Sequence, residues 1–222
     1  MSFFERLQHE TAAQRAGLLD APVIRDALQG RVTLVQYRAF LGQAFHHVRH
    51  TVPLLMACGA RLPARHEHLR RAVAEYIEEE IGHEEWILDD IVACGGEREV
   101  ARASAPGHEA EMMVAFARDW IAHANPVGFF GMVHVLEGTS VALATSAAER
   151  IATTLQLPPA AFSYLNSHGS LDQEHVRFFA DLMETLDDEA DRAAVIHVAR
   201  VMYRLYGDLF RALPVADQAL AA

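Results

Sequence analysis

Residues 75–91 read EYIEEEIGHEEWILDDI, and at about 100° per residue their apolar members fall on one side of a helix. Together with Val73, the residues Ile77, Ile81, Leu88 and Ile91 mark that face. Glu80, His83 and Glu84 lie on it or at its edge, while Glu79 turns further toward solvent. Glu80 and His83 are three positions apart, the spacing that lets one helix offer a carboxylate and an imidazole to the same metal. A solvated acidic face with a single His has the same spacing. This stretch therefore settles the secondary structure and leaves its chemistry to the rest of the chain.

The same three- and four-residue recurrence runs through the whole sequence, with Gly and Pro as punctuation. It predicts an all-α chain of about seven or eight helices and no strand. The segments are 2–18, 22–29, 34–58 with a break at Pro53, 64–93, 106–123, 127–154, 159–186 and 189–212. Thr33 suits an N-cap, Gly59 and Gly95 suit helix stops, and Pro126 and Pro158 suit helix starts. With 222 residues and no repeat or low-complexity stretch, the chain reads as one domain over 1–222, with a small polar tail after Pro214 that is expected to fray.

Composition excludes several function classes. A formal net charge of -11 is wrong for a nucleic-acid or anionic-membrane surface, because Lys and Arg supply that attraction. All 19 basic residues are Arg, so neither Schiff-base chemistry nor a phosphate-cradling Walker lysine is open to the chain. Cys58 and Cys94 are too few for a disulfide framework or a thiolate zinc knuckle. The opening MSFFERLQHET carries Glu5 and Glu10 where an export signal needs a basic patch and an apolar run. A cytoplasmic protein is expected. Histidine is the unusual count, at 13; His66, His68 and His108 read as surface residues, and the others carry the functional question.

Residues 126–148 are apolar and small nearly all round, interrupted by His134 and Glu137. Length alone would allow a membrane span. A mid-span carboxylate is costly in lipid, however, and a helix apolar on every side is equally a central buried one. No membrane association is expected, and Glu137 then needs a proton, a hydrogen-bond network or a cation. Residues 167–179, SHGSLDQEHVRFF, place His168, Asp172 and His175 on one stripe across two helical turns. Imidazole with carboxylate and no nearby Cys suits iron, manganese or zinc in a non-structural role. Three helices thus offer six ligands of the balanced type found in dinuclear helical bundles.

These motifs, with the run FLGQAFHHVRHTVPLL at 40–55, resemble the heme-oxygenase-like helical bundles grouped with the TenA and PqqC families, and in particular the branch of heme-oxygenase-like diiron oxidases. The resemblance covers nearly the whole chain. It implies two irons per chain, possible replacement by Mn or Zn, and a ligand set of Glu80 (or Glu79) with His83, Glu137, and His168, Asp172 and His175. Helical phase favours Glu80 over Glu79. Thiaminase-type relatives use a Cys on the central helix, and VHVLEGTSVALAT at 133–145 has none. Relatives like PqqC, and a branch that consumes its own Tyr and Lys side chains, depend on a Lys this chain lacks.

The expected function is O2-dependent oxidation of a small organic substrate, by N-oxygenation, desaturation or carbon–carbon cleavage of an amino-acid-like or fatty-acid-like molecule, in a homodimer. A metal-independent hydrolase or cofactorless oxidase of the same fold, and a non-catalytic protein that binds a small molecule or metal, are the alternatives. Phe40, Gln43, His47 and His50 are candidates for the substrate pocket. His134 is a candidate to orient a ligand carboxylate, and Trp86, Trp120 and Tyr164 read as core or pocket wall.

Overall fold

The computed structural model of the chain describes residues 1–170 and 172–215, with residues 168–170 and 172–175 described by backbone alone. Among the described residues there are thirteen α-helices, three short 3-10 turns and no strand. The chain opens with α1 (Phe3–Glu10), α2 (Ala12–Leu19) and α3 (Pro22–Leu28), and continues through α4 (Leu34–Val48), α5 (Thr51–Arg61), α6 (Glu67–Glu80) and α7 (His83–Ala93). A short α8 (Arg98–Ala103) leads to α9 (His108–His123) and the long α10 (Phe130–Leu155). Next come α11 (Ser163–Ser170), α12 (Asp172–Glu184) and α13 (Glu189–Ala212).

Several of the expected segments divide, each for a local reason. The 34–58 segment breaks at Arg49–His50, not at Pro53, which sits in the first turn of α5 where its missing N–H goes unneeded. Gly59 lies inside α5 and is no stop; a Cβ there would meet Val73 Cγ1 of α6 at 3.2 Å. The 64–93 segment is broken at Ile81–Gly82, because Gly82 adopts φ 91, a left-handed conformation that ends one helix and admits the next. Thr33 does cap α4, in a reciprocal pair with Gln36, and Gly95 at φ 76 follows the end of α7 as expected. The span 189–212 matches α13 at both ends.

α10 is the central helix. It packs against α13 along one side, α11 along another, and α3 and α12 toward its ends. Its apolar window is long enough to cross a membrane by length and composition, and 61% of that window is buried among the other helices, which accounts for its apolar character on every face. A large core joins α5, α6, α9, α10 and α13, and a second joins α4, α7, α11 and the far half of α10. Where α10 crosses α13, a Cβ on Gly131 would stand 2.3 Å from the Val195 carbonyl oxygen and 2.6 Å from the Ala199 nitrogen. Backbone cannot yield as a side chain can. Gly131→Ala is therefore expected to force the two helices apart at a cost of about 1–3 kcal/mol or more, read as a lowered denaturant midpoint.

Candidate metal centre

Glu137 lies in the first third of α10 and faces a cavity of about 610 Å³ of empty space, part of it open to solvent. His47 of α4, Tyr76 and Glu80 of α6, Ser140 of α10, Tyr164 of α11 and Tyr206 of α13 share its wall, with Phe129, Met132, Val133 and Leu136 as its apolar side. Two carboxylates from different helices thus look into one chamber, and among the described residues no Arg lines it. Burial first, and then the neighbouring Glu80 and Glu79, hold the Glu137 carboxyl well above the ordinary carboxylate range. A cation between the carboxylates is the other way to relieve that repulsion.

Glu80 is the last residue of α6 and His83 the first of α7. The left-handed Gly82 between them turns the chain while keeping the pair together, with His83 Nδ1 3.1 Å from Glu80 Oε2. The pairing expected of one continuous helix is achieved across a helix break. His83 is buried and lies over Trp86, ring centres 4.2 Å apart. Glu80 is partly buried and Glu79 exposed, the order of exposure that helical phase indicates.

Asp90 on α7 organises the neighbouring element. Fully buried, it accepts the backbone N–H groups of Ser163 (2.8 Å) and Tyr164 (3.0 Å) at the start of α11. Its carboxyl is pushed up by burial, against the pull of those backbone bonds. This bond fixes α11 to α7, and so holds Tyr164 over the chamber. The side chains of His168, Asp172 and His175 lie outside the described residues. Among the described residues no group of three or more His, Cys, Asp or Glu could by itself hold a metal ion. The donors described in the chamber, the Glu80 and Glu137 carboxylates with the His47 imidazole on its wall, are of the types that suit iron, manganese or zinc.

The pocket candidates divide. His47 reaches the chamber, edge-on to Tyr206 at 5.7 Å. Phe40 lines an adjoining apolar cavity. Gln43 is committed elsewhere, its Oε1 accepting Gly107 N–H at 2.9 Å, and His50 Nδ1 lies 3.2 Å from Arg118 Nη2 on α9. His134, one turn before Glu137 on α10, is wedged among Phe4, Phe179 and Tyr203. Burial pushes its pKa down to about 4, so it stays neutral as a core residue. His66, expected at the surface, is buried and bonded to Asp191.

Tyr76 and Tyr206 went unnoticed as pocket residues. Tyr76 stands four positions before Glu80 on the stripe Leu69, Val73, Tyr76, so its face was available from spacing alone. Its hydroxyl is buried with no hydrogen-bond partner among the described residues, and burial, then Glu137 and the other nearby carboxylates, raises its pKa.

A family described as iron-containing redox enzymes matches residues 38–207. Among solved structures, the chain is similar to a domain of unknown function with a heme oxygenase-like fold from Shewanella denitrificans, at 23% identity and TM-score 0.83, covering 93% of this chain and 90% of that one. It is also similar to a TenA homolog from Pseudomonas syringae, at 12% identity and TM-score 0.79 over 94% and 91% of the two chains. The heme oxygenase from Leptospira interrogans aligns at 14% identity and TM-score 0.77 over 96% and 100%. No curated protein matches the chain in sequence. The architecture is thus the heme oxygenase-like helical bundle.

Proposed function

The chain belongs to a family of iron-containing redox enzymes, and on that premise we propose that it is a non-heme diiron oxidase of the heme-oxygenase-like branch. One observation carries the reading: Glu80 and Glu137, from separate helices, share a chamber with His47 and Tyr76 that no Arg among the described residues lines. Glu80, His83 and Glu137 would hold the metal pair together with His168, Asp172 and His175. Bound iron supplies the electrons and the means of activating O2.

The protein's own residues do the rest. Glu80 Oε2 stands 3.1 Å from His83 Nδ1, and this contact keeps the imidazole beside the carboxylate. Phe129, Met132, Val133 and Leu136 give the chamber an apolar side beside Glu137, which lowers the local polarity around the carboxylate. The Tyr76 hydroxyl, with no other partner among the described residues, is free to donate to a substrate or carboxylate oxygen. The substrate is a small organic molecule oxidised with O2, and a cytoplasmic homodimer belongs to the same proposal.

Anaerobic titration with Fe(II) tests it. Uptake of a metal pair per chain, cut sharply by His168→Ala, is expected; uptake below one iron per chain together with an indifferent His168→Ala protein defeats the reading. The raised proton affinity of Glu137, together with the likeness to a TenA homolog, favours one second reading, a metal-free enzyme with Glu137 as general acid. Full turnover in the presence of chelator would select it.

A further inference from the structure

Beside the acidic chamber lies a second cavity of about 700 Å³ of empty space, partly open to solvent, whose wall includes Phe40, Leu143, Ala144, Ala147, Ile151 and Leu165. Among the described residues, none that lines it is charged. Ser140, Tyr164 and Tyr206 belong to both cavities, so the two adjoin at these residues. The reason lies in α10. Glu137, Ser140, Ala144, Ala147 and Ile151 follow each other at spacings of three and four and form one stripe along the helix. At 1.5 Å per residue, Glu137 and Ala147 are about 15 Å apart along that stripe. Small side chains at 140, 144 and 147 leave the space that larger ones would fill.

We infer that the substrate carries an unbranched apolar chain, which lies along the Ser140–Ile151 stripe while the reacting end sits beside Glu137. Two independent features support an occupant. The apolar cavity adjoins the chamber holding the carboxylates and shares Ser140, Tyr164 and Tyr206 with it, and the buried Tyr76 hydroxyl in that chamber has no partner among the described residues. A free polar amino acid would leave the apolar cavity empty and gain nothing from it; a chain gains free energy with every methylene it buries. The inference rests on the diiron reading for the reacting end only, since the tail cavity is a property of the protein without metal.

The test uses metal-free protein and n-alkanols from butanol to decanol, whose uncharged heads isolate the contribution of the tail. Calorimetric affinity is expected to rise about fourfold per added methylene. Ala147→Phe, which fills the stripe, is expected to weaken decanol at least tenfold while butanol changes little. Ala147→Leu, the milder variant, carries the test if the Phe protein fails to fold, and thermal unfolding of each variant checks that point. An affinity that is flat with chain length, or indifferent to filling at position 147, overturns the inference. Iron uptake on the same proteins keeps the two readings apart. A clear chain-length series in a protein that takes up no iron defeats the oxidase and keeps the tail cavity; iron uptake with a flat series does the reverse.

Discussion

The Glu137→Gln protein is expected to unfold at a higher temperature than wild type when both are metal-free, and to lose the stabilisation that iron gives. In the metal-free protein, burial and the facing carboxylates of Glu80 and Glu79 disfavour the ionised form of Glu137. At neutral pH that side chain is therefore a cost, which the neutral isostere removes. With iron the sign reverses. A ligand that binds only the folded state adds about 2.7 kcal/mol at a hundredfold excess over its Kd, and the amide cannot balance the cation's charge. O2 consumption by the loaded protein should fall by more than about a hundredfold, beyond the 10–100-fold typical of residues that merely orient a metal ligand. Scanning calorimetry with chelator and with Fe(II) reads both halves. A residue with a purely structural role would lower both melting temperatures, so a drop in the chelated protein would count against a metal role for Glu137.

Asp191→Ala is expected to be the most destabilising single change outside the chamber, at about 3–5 kcal/mol. Asp191 is fully buried near the start of α13. It accepts from His66 Nε2 at 2.7 Å and Asn125 Nδ2 at 2.7 Å, with Arg65 Nη2 at 3.3 Å. Those partners come from the turn before α6 and the turn before α10, so one carboxylate ties three parts of the chain together. For a domain of this size the loss corresponds to a melting temperature lower by about 10 °C. Burial by itself would raise the pKa of this group; the bonds from Asn125 and His66, with the Arg65 charge, outweigh it and leave the pKa lowered. An acid whose folded pKa is lowered stabilises above its unfolded value and loses that contribution as pH falls through the folded one. The advantage of wild type over the variant should therefore be full at neutral pH and shrink below about pH 4. An advantage that grows toward acid pH would show that the carboxylate is not held in its charged form.

Part of the chamber wall was readable from the sequence. The greater burial of Glu80 than of Glu79 follows from helical phase, and Glu137 stood out as the one carboxylate in a run apolar on nearly every side. The residues that spacing misplaced are those whose surroundings come from other elements. His134 and Glu137 are one turn apart on α10, yet the aromatic rings of Phe4, Phe179 and Tyr203 enclose one and the carboxylate of Glu80 faces the other. Gln43 sits one turn before His47, but the Gly107 amide claims it. Gly82 was readable as a glycine and not as the hinge between Glu80 and His83, since one Gly inside a strongly periodic run is often tolerated in a helix.

Helical periodicity is a local property: side chains three and four positions apart share a face whatever the rest of the chain does. The all-α class, the buried character of the 126–148 run and the face shared by Tyr76 and Glu80 needed nothing more. Which faces meet is a matter of packing between segments far apart in sequence, and no short-range pattern encodes it. The pairing of His66 with Asp191 across 125 positions, the joining of α7 to α11 by Asp90, and the two chambers meeting at Tyr164 and Tyr206 exist only once the helices have packed, because each depends on where a neighbouring backbone comes to rest.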